Sequence, residues 1–199
     1  MYTIKKASKK IECPYDSEWD KAEVIEIKVN NWSHLTYVPN TTAKLMYSDY
    51  GIHVRMETDE DPIYATHTKQ NGDICTDSCM ELFIRPNEND PRYINFEFNP
   101  FGTMYLGLCT SRYDYTNPDY DKYYFEVKND VNYKKWVLNY TIPFEFINSI
   151  FGSYTKTMYA NMYKCGDGVN TTHRVTCFPV GTEKPDFHRP EYFQKIVLE

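Results

Sequence analysis

Planar polar side chains alternate with apolar ones in two segments of the chain. Glu81 lies in the first, residues 79–84, and the second, residues 93–99, places three more on one face: Asn95, Glu97 and Asn99. Carboxylate and amide groups bind paired hydroxyl groups well, so these four side chains are candidates for holding a hydroxyl-rich ligand. The alternative interpretation is a solvated outer face of a sheet. For Asn99 a turn role is a further alternative, because Asn-Pro readily starts a turn.

Catalytic motifs are absent from the sequence. There is no Gly-x-Ser-x-Gly, no His-Glu-x-x-His and no phosphate-binding loop. Carboxylates are plentiful, but nothing in their spacing marks a pair as an acid and a base. We therefore expect a protein that binds and does not catalyse.

Two kinds of metal ligand occur in the sequence. The run Asp59-Glu60-Asp61 offers the hard oxygen ligands that calcium prefers, although no EF-hand spacing is present. Cys75 and Cys79 have the spacing C-x3-C, which on a strand would separate them by about 13 Å and exclude one shared ion. Calcium at residues 59–61 is therefore the metal site that the sequence predicts.

Composition and charge limit the classes of molecule that this protein is expected to bind. The chain has 199 residues, a net charge of −6 and 17% aromatic residues. An acidic chain with no basic block is a poor partner for nucleic acid or an anionic membrane. No apolar signal segment follows the basic start, which favours a cytoplasmic location. There the six cysteines are expected to stay as free thiols.

Hydrophobic periodicity is close to two over most of the chain. Residues 25–29, 52–57 and 93–99 alternate most clearly, and turn signals separate the segments. One short helix is expected at 143–152, with Pro at its start and Gly at its end. The pattern predicts an all-β fold: a single antiparallel β-sandwich over residues 1–199, with about nine to ten strands and one short helix.

Several segments, read in order, resemble the family 9-like carbohydrate-binding modules. They are residues 77–84, 93–99 followed by Gly102, 136–138 with Ile142-Pro143, 160–167 and 185–193. The resemblance spans nearly the whole chain. It implies a β-sandwich that binds sugar without catalysis and is often attached to a glycoside hydrolase. It also implies sugar contacts from Glu81, Asn95 and the segment around Arg174.

The chain departs from this family at two positions. Sugar-binding members look as though they clamp a terminal sugar ring between two tryptophans, and the corresponding positions here are Cys75 and Cys177. If the alignment moves by one residue, Phe178 becomes a platform instead. The expected ligand set is therefore Cys75, Glu81, Asn95, Glu97, Asn99, Arg174, Cys177 and Phe178.

Because both tryptophan positions hold cysteine, a second function remains open. The domain is then a repurposed sandwich that binds a metal, a non-sugar ligand or a protein partner. If the two positions face each other, Cys75 and Cys177 are candidates for a disulfide or for a shared soft metal; otherwise the site has decayed or changed its ligand.

Overall fold

A computed structural model describes residues 1–132 and 134–199. In these residues the chain forms one α-helix, α1 (Phe144–Phe151), and thirteen strands. The strands are β1 (Tyr2–Lys6), β2 (Ile25–Glu26), β3 (Asn40–Tyr47), β4 (Gly51–Asp59), β5 (Cys79–Arg85), β6 (Tyr93–Phe98), β7 (Met104–Cys109), β8 (Tyr115–Thr116), β9 (Lys128–Val131), β10 (Lys135–Pro143), β11 (Thr157–Gly166), β12 (His173–Thr176) and β13 (Gln194–Leu198).

The strands form one curled sheet. Its hydrogen-bonded order is β8-β7-β6-β5-β11-β13-β1-β3-β4-β10-β9, with β12 beside β11 and β2 beside β3. β1 joins the two layers: its first residues pair with β13, and Lys5 and Lys6 pair with β3. The all-β class and the one short helix are confirmed.

Two details of the sequence-based fold are corrected. Both pairings of β1 are parallel, so the sheet is mixed and not wholly antiparallel. The strand count rises to thirteen because short strands give weak periodic signals: β1, β8 and β12 were not predicted. The segment 123–128 was expected to be a strand but is mostly a turn, and β9 begins only at Lys128.

The main core fills the space between the two layers. Alternate residues of β5 and β6 face the alternate residues of β4 and β10 across it. Phe98 lies 4.7 Å from Tyr140 between ring centroids, and Phe125 and Phe146 meet edge to face at 5.0 Å. α1 closes one end of this core with Phe146 and stops at Gly152, whose φ of 74° is the left-handed conformation that glycine adopts without strain.

A second apolar cluster covers the opposite face of β5, β6 and β11. Phe83, Tyr93 and Tyr163 point to this side and pack against Phe187 and Phe193 of the C-terminal segment. Phe187 stacks on Tyr163 at 4.1 Å between centroids. Every residue of β6 is therefore buried, so the polar face of this strand is covered and is not the solvated outer face that the sequence left open as an alternative.

A buried charge network lies at one end of the sandwich. Lys164 Nζ is 3.0 Å from Glu60 Oε2 and 2.8 Å from His173 Nε2, and all three side chains are at most 1% exposed. Burial, together with the nearby Lys164 ammonium, lowers the pKa of His173 to about 3. His173 is therefore neutral, and Glu60 balances the lysine charge.

The predicted calcium ligands do not converge. Glu60 points inward to Lys164, whereas Asp59 and Asp61 are exposed and face Lys135 and Lys134. The reason is the alternation along the end of β4, which sends adjacent side chains to opposite faces. Residues 59–61 are thus a buried ion pair flanked by two surface carboxylates.

No helix in the described residues is long and apolar enough to cross a membrane.

We predict that Glu60→Gln lowers the free energy of unfolding by about 3–5 kcal/mol, because it leaves the Lys164 charge buried without a counter-charge. The matched control is Asp61→Asn, which removes a surface carboxylate one residue away and should change little. Urea unfolding of both variants measures this. Equal effects of the two substitutions would contradict the assigned role of Glu60.

Candidate functional site

The second apolar cluster covers most of one face of β5, β6 and β11. A pocket opens on the same face, at the edge of this cluster. Its volume is about 80 Å³. The strands supply the floor, and loops from four parts of the chain supply the walls. The lining residues are Cys75, Glu81, Phe83, Glu97, Arg112, Cys165, Asp167, Arg174, Pro185, Asp186, Phe187 and His188.

Two carboxyl groups form the centre of the floor. Glu81 of β5 and Glu97 of β6 are register partners on neighbouring antiparallel strands, and they are 2% and 8% exposed. Burial raises the pKa of Glu97 to about 7. Burial and then repulsion by Glu97 raise the pKa of Glu81 well above its usual value. Near neutral pH the pair therefore retains a proton, as two adjacent carboxyls in an apolar site do.

Each floor carboxyl is held by a neighbouring polar group. The Cys165 thiol donates to Glu81 Oε1 at 2.9 Å, and Asn95 Nδ2 donates to Glu97 Oε1 at 2.8 Å. Asn95 is fully buried, and its Oδ1 has no hydrogen-bond partner in the described residues. Asn95 thus orients Glu97 and is not itself among the lining residues.

Both guanidinium groups of the pocket are already paired. Arg174 on β12 makes a two-point contact with Asp167, with Nε–Oδ1 at 2.7 Å and Nη2–Oδ2 at 2.6 Å. Arg112 Nη1 donates to Asp186 Oδ1 at 2.9 Å. Because each arginine charge is cancelled by an aspartate, the carboxyl pair on the floor leaves the pocket acidic.

One wall is built from aromatic rings. The Tyr163 hydroxyl donates to the Phe187 carbonyl at 3.1 Å, which fixes the backbone under the stacked ring. The hydroxyl of Tyr93 and Nδ1 of His188 share a hydrogen bond of 2.9 Å. Burial, and then the Arg112 charge, lower the pKa of His188 to about 4, so this ring is neutral at pH 7.

The two expected clamp positions lie on different faces of the sheet. Cys75 lines the pocket from the short 3-10 turn Ile74–Thr76. Cys177 packs into the main core, and its amide donates to the Met162 carbonyl at 2.8 Å. The alternation of β12, continued by one residue, explains this: Val175 and Cys177 face the main core, whereas Arg174 lines the pocket. A disulfide or metal site shared by Cys75 and Cys177 is excluded by this placement.

Two more of the expected ligand residues lie away from the pocket. Phe178 packs at the margin of the main core. Asn99 is fully buried: it donates to the Asp77 carboxylate at 2.8 Å and accepts from the amide of Thr103 at 3.0 Å. Asn99 therefore fixes the turn after β6 and, through Asp77, the segment that carries Cys75.

The structure brings together four of the expected ligand residues and adds others. Cys75, Glu81, Glu97 and Arg174 all line the pocket. Sequence reasoning missed Arg112, Asp167, Asp186 and Cys165 as site residues, because loops and a cross-strand pairing bring them in. The three tryptophans of the chain (Trp19, Trp32 and Trp136) are at most 3% exposed and line no part of the pocket.

Comparison with known families shows to which family the chain belongs. The family model for carbohydrate-binding family 9 matches residues 13–198. The chain belongs to this family. No curated protein sequence matches it.

Solved structures show the same fold. A proposed carbohydrate-binding protein from Bacteroides uniformis ATCC 8492 superposes with a TM-score of 0.82 at 24% identity, over 100% of this chain and 99% of that one. A family 9 carbohydrate-binding module from Caldicellulosiruptor kristjanssonii, solved with cellotriose, gives 0.70 at 14% identity over 100% and 93%. The same kind of module with glucose gives 0.69 at 14% identity over 99% and 94%. The resemblance read from the sequence is confirmed at the level of family and fold.

Because His188 is neutral in the folded protein, the free energy of unfolding should depend on pH. Its pKa falls from 6.5 to about 4 on folding, so the unfolded chain binds the extra proton between these values. The stability that His188 contributes is present above pH 6.5 and is lost as the pH falls. We expect the stability difference between the wild-type protein and His188→Gln to shrink by roughly 1–2 kcal/mol from pH 7 to pH 5.

Chemical denaturation at both pH values measures this difference, and other titrating groups cancel in it. The matched control is His34→Gln, which replaces an exposed imidazole outside the pocket. A constant gap for His188→Gln would show that this ring is protonated equally in the folded and unfolded states.

Proposed function

We propose that this family 9 domain binds a neutral carbohydrate, without catalysis, in the pocket floored by Glu81 and Glu97. The observation that carries the proposal is the pair of buried carboxyls facing an open pocket beside two arginines and an aromatic wall. The family assignment supports it, as do relatives of the same fold that are solved with cellotriose and with glucose.

The floor and walls offer complementary groups to a sugar ring. Hydroxyl groups of a sugar donate to the carboxylate of the floor and accept from the protonated partner or from guanidinium N–H groups. Displacing water from such a buried pair strengthens each hydrogen bond. Phe187 and His188 give a limited apolar surface for the C–H groups of the ring.

The charge balance favours a neutral ligand over an acidic one. Arg112 and Arg174 are committed to Asp186 and Asp167, so no unpaired cation of the described pocket residues is left for a uronate carboxylate. A like charge placed against the floor pair costs several kcal/mol.

The position of the two carboxyls supports binding and not hydrolysis. Glycoside hydrolases place their two carboxyls on either side of the scissile bond. Glu81 and Glu97 are neighbours that project from one face of one sheet, so both meet the same side of a ligand. Attachment to a glycoside hydrolase and a cytoplasmic location remain predictions.

We predict that Glu81→Ala weakens binding of glucose or cellotriose at least tenfold, because a buried hydrogen-bonding group left without its partner costs about 1–3 kcal/mol. The matched control is Glu145→Ala, an exposed glutamate on α1, which should bind as the wild type does. Calorimetric titration of each protein, with glucuronate as an acidic comparison, measures this. Unchanged affinity in folded Glu81→Ala, or tighter binding of glucuronate than of glucose, would overturn the proposal.

The separation of Cys75 from Cys177 predicts opposite results for the same substitution. Cys75→Trp adds an aromatic plate to the pocket and should tighten sugar binding by roughly 3–10-fold. Cys177→Trp overfills the main core and should cost about 1–3 kcal/mol of stability without tightening binding. Calorimetry and thermal unfolding of both variants measure these changes. Tighter binding in Cys177→Trp would show that residue 177 reaches the ligand.

A further inference from the structure

Two thiols and one carboxyl converge at the inner end of the pocket. Cys79 and Glu81 are two residues apart on β5, so their side chains lie on one face. Cys165 on β11 is the register partner of Cys79 and faces the same side. One ligand atom from each of the three lies within 4.8 Å of the others, and Cys165 Sγ is 2.9 Å from Glu81 Oε1.

This cluster is buried, and its carboxyl group makes no ion pair within the described residues. Cys79, Glu81 and Cys165 are 0%, 2% and 2% exposed. In residues 1–132 and 134–199, no lysine or arginine lies within ion-pair distance of Glu81. Three groups that all become anionic on losing a proton therefore share one desolvated site, which a divalent cation would neutralise.

We propose that Cys79, Glu81 and Cys165 bind a soft divalent cation of the zinc type. Two sulfur ligands select zinc over calcium or magnesium. Two ligands at positions i and i+2 of one strand, with a third directly across on the next strand, surround one point above the sheet. Three protein ligands leave a fourth position, as open zinc sites do, and it faces the pocket because Glu81 and Cys165 line that pocket.

The distances are close to those that such an ion requires. Zinc–sulfur and zinc–oxygen bonds of about 2.3 and 2.1 Å in a tetrahedral site put the ligand atoms about 3.5–3.8 Å apart. The Cys165 Sγ–Glu81 Oε1 separation is 2.9 Å, and all three ligand atoms lie within 4.8 Å of one another. The pocket supplies the entry path.

The competing fate of these thiols is a disulfide across the two strands. Cys79 and Cys165 face each other and are free thiols in the structure. A bond between them would remove two of the three ligands, so metal binding and disulfide formation exclude one another. The metal proposal does not depend on sugar binding, and its test uses no sugar.

The test is a titration of the whole reduced protein with cobalt(II) alone. Tetrahedral cobalt bound to thiolates gives a charge-transfer band in the near ultraviolet, and added zinc should remove it stoichiometrically. Cys79→Ser and Cys165→Ser should each weaken binding by more than the 10–100-fold that is usual for changes beyond the direct ligands. Cys109→Ser is the matched control, because Cys109 is equally buried on nearby β7 but outside the cluster, and it should keep the band.

Glu81→Gln provides a second test in case a serine variant fails to fold. It keeps both thiols and should still weaken cobalt binding. The proposal is overturned by wild-type protein that shows no thiolate–cobalt band while all six thiols react as free groups. It is also overturned by a band that persists in the Cys79→Ser/Cys165→Ser double variant, or by a Cys79–Cys165 disulfide in protein kept under reducing conditions.

Discussion

The constraint on which this structure depends is the cost of burying polar groups on the second face of β5 and β6, after the first face has packed into the main core. One face packs into the main core, and the other carries Glu81, Asn95 and Glu97 beneath the C-terminal segment. A buried polar group without a partner destabilises the fold, so these side chains must satisfy one another. They do so in pairs, with Asn95 on Glu97 and Cys165 on Glu81. The pocket lies over the two carboxyl groups of this set, Glu81 and Glu97.

The cover over that face determines what the pocket can do. Phe187 and Phe193 pack onto Tyr163 and Phe83, and this packing lowers the dielectric around the carboxyls while leaving an opening at one edge. The same burial that raises the pKa of Glu97 keeps His188 neutral, because both charged forms lose solvation. Electrostatics and shape in the site therefore have one origin.

Binding of a sugar and binding of a metal ion make different demands on this floor. A sugar needs hydrogen-bond donors and acceptors at the open edge, whereas a soft cation needs the thiols behind them. Glu81 lines the pocket and is one of the three clustered groups, so both proposals depend on it. The absence of tryptophan from the pocket makes hydrogen bonding, and not stacking, the main source of affinity for a sugar.

The sequence by itself determined the all-β class, the helix α1 and the family, because strand alternation and turn residues are local signals and the family segments are short and contiguous. It also identified Glu81 and Glu97, which stand on adjacent strong strands. Tertiary structure alone decided that the outer face is covered, that Cys177 faces the core while Cys75 faces the pocket, and that Glu60 pairs with Lys164. It alone placed Cys165 opposite Cys79. These facts follow from strand register and from loops that meet across the fold, and a one-residue change in register reverses the face of every side chain on a strand.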